Sequence, residues 1–509
     1  MNRPGDRGST LAPIPKDVAI ASMNDTPSHN QTTASPDVIA ALDPAQRHAV
    51  AELRDRFTST DAELYLVGGI VRDILLARPT VGQRDLDFAT SLPPDRTKAI
   101  LKTIPNVGLY DIGEKFGTIG IIIPDATGEH VSVEITTFRS EEYEPGSRHP
   151  SVAFGTSITD DLARRDITIN AIAVDVRDGV LIDPFYGQAD LAMGLLRAVG
   201  DPDERFREDP LRLLRVARFV AQLGFAIEPE TKLAMQRQAP TLDQISRERV
   251  LAEMTKLLCG EYADAGLQAL LETHLFAVAM PELTPLEREA YDTPGIHREK
   301  DLWEHTKRVV VQAPARPIVR WAALLHDAAK PMTRQVDSHG EVHFFGHERA
   351  GADLASRLLR RLKADKQTQQ QVRKLVDMHL RPASYDIETW TDSAVRRLAL
   401  EADGVMNDLL DLAAADVTSE RAHKRRAAAA RVQGLRDHIA RLEAERALDE
   451  LQSPLNGDEL MRMFDRKPGR WIAQIKDHLR EMVIDGTLAP DDQETATRIA
   501  HELIAEIPS

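Results

Sequence analysis

The chain contains a single cysteine, Cys259, in 509 residues. That excludes an intramolecular disulfide and fits a reducing compartment. Aromatic residues are scarce at 5%, which argues against a broad base-stacking surface. Any RNA would be held mainly through backbone and shape contacts. An excess of positive charge is also lacking. The formal net charge of −16 argues against non-specific nucleic-acid binding over the whole surface and leaves only local basic clusters. No uninterrupted apolar run is long enough to cross a bilayer, and the N-terminus lacks the apolar core of a secretory signal. The expectation is a cytoplasmic protein with no membrane partner and, from its length, several domains.

Residues 1–44 are rich in Pro, Ser, Thr and Asn, a composition that predicts a disordered tail. Over 45–200, β-type runs at 119–123, 131–137, 169–174 and 180–182 alternate with helical patterns, predicting an α/β or α+β unit. After Asp201-Pro202 the pattern turns helical and stays so. Helix-period spacing covers 208–224, 246–259, 264–279, 302–312, 317–329, 348–363 and 366–379. The Pro-rich segment 281–295 divides this part into units over 201–280 and 281–420. A third unit, 421–509, includes a helix-turn-helix-like stretch around 460–484.

A chemical signature lies in Leu66-Val67-Gly68-Gly69, Val71-Arg72-Asp73 and Asp85-Leu86-Asp87-Phe88. It predicts strand, Gly-Gly turn, short helix, loop and second strand. Residues i and i+2 of a strand share a face, so Asp85 and Asp87 project together. Two adjacent carboxylates repel unless a cation sits between them. Mg²⁺ suits that role, since it prefers oxygen ligands and bridges carboxylates to a triphosphate. Gly68 and Gly69 let backbone amides approach phosphate closely. The chemistry suggested is nucleotidyl transfer. Glu134, in Val131–Arg139, alternates onto the face of Ser132 and Thr136; it is either a third metal-site carboxylate or a solvent-facing Glu. Arg165-Asp166 offers a phosphate-gripping guanidinium and a ribose acceptor, or a surface ion pair. Asp209, Arg212, Arg215 and Arg218 recur every three residues along a helix that Pro210 opens. They form a solvated face, or donors and an acceptor set to read a base edge.

Together these pieces resemble the tRNA nucleotidyltransferase and poly(A) polymerase family in its class II bacterial form. The matching motifs, in order, are the Gly-Gly-x-x-Arg-Asp turn of 68–73, Asp85-Leu86-Asp87, Arg164-Arg165-Asp166, Asp183-Pro184-Phe185-Tyr186-Gly187 and Glu208-Asp209-Pro210-Leu211-Arg212. The resemblance implies that Asp85 and Asp87 are catalytic and bind Mg²⁺, and that Gly68, Gly69 and Arg72 hold the triphosphate. Arg165 would contact the nucleotide, with Asp166 near its ribose. Asp209 and Arg212 would pair with the Watson–Crick edge of CTP or ATP, and Arg215 and Arg218 would direct positive charge toward phosphate. The implied reaction is in-line attack of an RNA 3′-hydroxyl on the α-phosphate, with pyrophosphate leaving.

Downstream, His305, His326-Asp327, His347, His379 and Asp416 lie in or beside helical patterns. A single histidine there is usually structural. An adjacent His-Asp following Trp321–Leu325 is costly to bury without a partner or metal. Imidazole with carboxylate suits Mn, Ni, Fe or Zn better than Ca. His339 and His343 compete with His347 for the assignment. The ordered set resembles the HD phosphohydrolase superfamily. His305, His326, Asp327 and Asp416 match its four-residue metal set, and His347 and His379 match the extra histidines of two-metal members. Ala329 departs from the glycine common before Lys330. The two resemblances imply an α+β nucleotidyltransferase head with a mixed β-sheet, then an all-α neck, HD body and tail.

The function implied is template-independent addition of CCA to the tRNA 3′ end from CTP and ATP, with an HD domain that is a phosphohydrolase or a vestigial structural element. An A-adding enzyme or a poly(A) polymerase shares the motifs and differs in nucleotide choice. A metal phosphohydrolase with a merely nucleotide-binding head, or a non-catalytic RNA binder, fits the full set of Asp85, Asp87, Asp209 and Arg212 less well. Arg421, Lys424, Arg425, Arg426, Arg431, Arg436 and Arg441 form an RNA-facing strip or a solvated helix face.

Overall fold

The computed structural model describes residues 37–79, 85–105, 107–113, 117–124, 128, 130–142, 151–155, 157–286, 302–418, 421–444 and 452–505. Residues 1–36 of the expected tail lie outside them. Its last part is corrected: Val38–Ala41 is helical, and Val38 and Leu42 are buried. Helix α1 (Pro44–Thr58) starts at once. Asp43 accepts the Gln46 amide, the Gln46 side chain accepts the Asp43 amide, and Pro44 takes the first helical position.

Seven strands form a mixed sheet in the order β3-β4-β5-β2-β1-β8-β9. They are β1 (Leu64–Val67), β2 (Asp85–Thr90), β3 (Gly108–Gly113), β4 (Thr118–Pro124), β5 (His130–Thr137), β8 (Ala173–Asp175) and β9 (Leu181–Ile182). Strands β6 (Arg139–Glu142) and β7 (Ser151–Phe154) pair separately. Only β2 and β5 run parallel within the large sheet. Strand β5 shows why the sheet forms: Val131, Val133 and Ile135 are buried while Ser132, Glu134 and Thr136 reach the other face. The strand expected over 169–174 is shorter. Thr168–Asn170 is a 3₁₀ turn, and β-structure begins only at Ala173.

The remainder is mainly helical, with three corrections. Short strands interrupt it: β10 (Leu195–Leu196) pairs with β11 (Ala226–Ile227), and β12 (Gln335–Val336) with β13 (Val342–His343). The pattern over 264–279 divides into two helices at His274, which is left-handed at φ 62°. The pattern over 317–329 ends early, since its helix stops at Leu325. His326 and Asp327 therefore sit on the turn that leaves the helix.

Helix α2 (Gly69–Leu75) follows β1, and α3 (Leu211–Leu223) packs on α4 (Arg247–Leu258). Helix α5 (Leu302–Gln312) packs on the helix Ala263–Glu272, and α6 (Pro317–Leu325) packs on α4. Trp321 on α6 donates to Thr255 Oγ1 at 2.9 Å. Buried Arg320 donates to the carbonyls of Leu258, Val311 and Pro314. Its charge thus meets the carbonyl-rich C-terminal ends of α4 and α5. Helices α7 (His347–Arg361), α8 (Lys366–Met378) and α9 (Met406–Ala415) complete that unit. In α10 (Ala422–Ala444), Val432, Leu435, Ile439 and Leu442 turn inward. Helices α11 (Gly457–Phe464) and α12 (Arg470–Ile484) bury Leu460, Trp471, Ile475 and Leu479 in a separate small core.

Candidate active site and metal centre

The Gly68-Gly69 turn and β2 meet at one point. Register pairs Val67 with Asp87 on one side and Asp87 with Glu134 on the other. Leu86 and Phe88 are buried while Asp85 and Asp87 are exposed. Three carboxylates from adjacent strands therefore share a face. Gly68 has φ 83°, and a Cβ there would lie 2.9 Å from Asp87 Oδ2. Both the conformation and the approach require glycine. Although its edge meets solvent, the surrounding cleft walls strip water from the Asp87 carboxylate and raise its pKa; Arg165 opposes this rise and Asp85 adds to it. Glu134 is raised as well, by burial and then by Asp87 and Asp85. Mutual repulsion of this kind is what a bound cation relieves.

A cleft of about 610 Å³ opens beside these residues. Its lining includes Gly68, Gly69 and Asp87 and brings eight arginines against four aspartates. In a chain of net charge −16, that local surplus marks a site for a polyanion. Arg72 donates to Asp73 Oδ1 at 2.9 Å and Asn170 Oδ1 at 3.0 Å, which fixes it over the turn. Arg165 donates to the Asn170 carbonyl at 3.1 Å and to Asp161 at 3.4 Å. Arg212 donates to Glu208 at 2.5 Å and to the Arg164 carbonyl at 2.9 Å. Asp209 accepts from the Leu211 amide at 3.1 Å and from Arg249 at 2.9 Å.

All three arginines of the stripe meet a carboxylate, Arg212 through Glu208 and the other two through buried partners. Arg215 grips Asp166 Oδ2 through Nε at 2.7 Å and Nη2 at 2.6 Å. Asp166 also accepts from the Ile167 amide and Asn170 Nδ2. Burial works to raise its pKa, but Arg215 and these donors hold it below the usual carboxylate range. Arg218 is buried, 3.1 Å from Glu253 and 4.3 Å from the centre of the Phe219 ring.

The second constellation gathers at the end of α6. Asp327 Oδ2 lies 3.3 Å from His305 Nε2 and 3.2 Å from His326 Nε2, and Asp416 Oδ1 lies 3.1 Å from His305 Nε2. Asp327 Oδ1 faces His347 Nε2 at 3.4 Å and His379 Nε2 at 3.8 Å. Every imidazole is oriented from behind. The Nδ1 atoms of His326, His347 and His379 face the carbonyls of Ala323, Phe344 and Val376, and His305 Nδ1 faces Thr418 Oγ1. In the neutral form of His326, His347 and His379, a proton on Nδ1 shared with these carbonyls leaves the Nε2 lone pair inward, as metal ligation requires. The Nε2 atoms of His347 and His379 are buried with no hydrogen-bond partner, a cost that a metal ion would remove. Two triads, His305/His326/Asp416 and Asp327/His347/His379, each bring their ligand atoms within 4.8 Å of one another. Burial depresses the His326 pKa, but Asp327 and Asp416 lift it to about 10. Burial and then His326 push His379 down to about 4.

Residues 64–197 match the family described as Poly A polymerase head domain. Residues 224–287 match that of the probable RNA and SrmB-binding site of polymerase A, and 302–421 match the HD domain. The three matches follow one another in the order that the motifs of the tRNA nucleotidyltransferase and poly(A) polymerase family predict. A CCA-adding enzyme of Geobacillus thermodenitrificans is 43% identical over 265 residues, or 51% of this chain and 62% of the relative. The match thus spans less than two thirds of that relative's length. A CCA-adding enzyme of Geobacillus sp. is 46% identical over 229 residues, 45% of this chain and 53% of the relative. The crystal structure of the Bacillus stearothermophilus CCA-adding enzyme in complex with CTP superposes with a TM-score of 0.64 at 28% identity, covering 91% of this chain and 98% of that one.

Several expectations change within this family frame. Asp166 is the buried anchor of Arg215 rather than an available ribose acceptor, and it is not paired with Arg165. Arg218 is buried against Glu253 rather than directed at phosphate. His347 sits in the His-Asp cluster where the sequence expected it, while His343 faces Asp337. The basic strip on α10 is not one free face, because Arg436 is tied to Asp411 and Arg441 to Asp392. Sequence reasoning missed Asn170, Arg249, Glu253 and Thr418. The i, i+4 spacing of Arg249 and Glu253 on an amphipathic helix was the available signal for two of them; Asn170 and Thr418 carried none. Among the described residues no helix is long and apolar enough to cross a membrane.

Proposed function

We propose that this protein adds CCA to the 3′ end of tRNA from CTP and ATP, in the cytosol, by metal-assisted nucleotidyl transfer. The observation that carries the reading is the meeting of the Asp85, Asp87 and Glu134 face with an arginine-rich cleft that also holds Asp209 and Arg212. Asp85 and Asp87 are the catalytic carboxylates and hold Mg²⁺, with Glu134 as a third ligand. When bound, the ion lowers the pKa of the attacking hydroxyl and neutralises charge on the transferring phosphorus. Gly68 and Gly69 admit the triphosphate to the backbone, and Arg72 and Arg165 bind its oxygens. The 3′-hydroxyl of the RNA attacks the α-phosphorus in line, the bond to the β-phosphate oxygen breaks, and pyrophosphate leaves.

Asp209 and Arg212 read the Watson–Crick edge, as acceptor and donor. Arg215 and Arg218 act behind them, holding Asp166 and Glu253 and keeping α3 against the head and α4. Asp209→Ala is expected to flatten the preference for CTP and ATP over UTP and GTP by about tenfold or more, since a buried-edge hydrogen bond to a charged group contributes ~1.5–3 kcal/mol. Single-nucleotide incorporation with each of the four triphosphates measures this. Unchanged discrimination would remove Asp209 from base reading.

The raised pKa values of Asp87 and Glu134 fix the pH response. Metal binding needs the carboxylates ionised, and these protonate at higher pH than ordinary ones. Incorporation is therefore expected to fall on acidification before the usual carboxylate range is reached. Added Mg²⁺ should shift that acid limb to lower pH, because metal and proton compete. A limb insensitive to Mg²⁺ would contradict the assignment.

At the HD centre, His305, His326, Asp327, His347, His379 and Asp416 hold one or two transition-metal ions of the Mn, Ni, Fe or Zn type. The chemistry supplied there is activation of water for phosphoester hydrolysis.

A further inference from the structure

The segment leading into the HD centre carries an aromatic pair that the nucleotidyl-transfer chemistry does not use. The rings of His343 and Phe345 stack at 5.0 Å between centroids with 11° between planes. Phe345 is nevertheless 69% exposed, so one face is backed by the imidazole while most of the ring meets solvent. The arrangement is pre-organised. Asp337 Oδ1 accepts the amides of His339 and Glu341 at 2.8 and 2.9 Å, and its Oδ2 faces His343 Nε2 at 3.1 Å. Asp337, Glu341 and His343 are close enough to suggest a cation, but Asp337 is already committed to folding the β12–β13 hairpin.

This pair is fastened to the metal centre at three points. His347, two residues beyond Phe345, belongs to the Asp327 triad. The carbonyl of Phe344 accepts from His347 Nδ1 at 2.7 Å. The Phe344 ring also lies 5.8 Å from Lys330 Nζ, which donates to Asp327 Oδ2 at 2.6 Å. Two Cα steps place the Phe345 backbone within about 7.6 Å of that of His347. This is a reach comparable with the phosphate-to-base span of a nucleotide.

We propose that the Asp337–His343–Phe345 hairpin is a base-stacking platform for the HD centre, receiving the nucleobase of a phosphoester whose phosphate lies at Asp327. The proposal rests on the metal-site reading above and adds the residues that select a nucleoside phosphate over a plain sugar phosphate. A flat ring backed by a fixed imidazole loses little conformational freedom on stacking, and every base offers a π face.

The test uses the full chain loaded with Mn²⁺ and the probes adenosine 2′-, 3′- and 5′-monophosphate, with ribose 5-phosphate as the base-free control. Binding is read by saturation transfer to the adenine protons, and hydrolysis by phosphate release. Phe345→Ala should weaken binding of at least one adenosine phosphate by about tenfold or more. It should raise KM with kcat unchanged and leave ribose 5-phosphate and CTP incorporation unaffected. Base-dependent binding lost in Phe345→Ala without any hydrolysis would sustain the platform and overturn only the hydrolytic reading. Equal binding by both proteins, or a Phe345-dependent change in oligomeric mass with no change in binding, would overturn the platform.

Discussion

Asp87→Ala is expected to reduce nucleotide incorporation by about 10³-fold or more, the loss that accompanies several kcal/mol of metal-derived charge stabilisation. The fold should survive. Asp87 stands on the exposed face of β2, while the sheet is held by Leu86 and Phe88 beneath it. Removing one of three mutually repelling carboxylates relieves strain rather than creating it. Thermal unfolding should therefore be unchanged or shifted slightly upward while labelled CTP incorporation collapses. Activity within tenfold of the unaltered chain would mean that the metal site lies elsewhere.

The second large effect falls on the other centre. Asp327 touches both triads, so Asp327→Ala removes the one carboxylate that links His305 and His326 to His347 and His379. Metal content after gel filtration is expected to fall from up to two ions per chain to at most one loosely held ion. The rise in melting temperature on adding Mn²⁺ should vanish, because a ligand stabilises only the fold that binds it. CTP incorporation should stay within a few-fold. Asp327→Asn separates ligation from packing: it preserves volume and weakens the metal site. Unchanged metal content in both variants would contradict ligation by Asp327.

The face that carries Asp85 and Asp87 was legible because its signal is local. Period-two alternation through Leu86 and Phe88 puts Asp85 and Asp87 together, and Gly68-Gly69 marks a turn that a Cβ would obstruct. The HD centre was legible from residue types in order, although its ligands come from segments far apart in sequence. Partnership was not legible. Nothing near Asp166 announces that Arg215, 49 residues on, will neutralise it, and nothing near Arg218 announces Glu253. Long-range packing decides whether an arginine on a helical stripe meets solvent or a buried carboxylate. The same limit explains α6: periodicity ran on to residue 329, but placing His326 and Asp327 against His347 and His379 needs a turn after Leu325. The paired arginines on α10 repeat the point, since a basic face in sequence became in part a clasp to Asp392 and Asp411.

The most direct test is incorporation of labelled CTP and ATP, separately and together, onto tRNA lacking its last three nucleotides. Two cytidines from CTP alone and a terminal adenosine only when both are present, all dependent on Asp85, is the predicted result. Addition of ATP alone to that end, or no incorporation of either nucleotide by the folded chain, would contradict it.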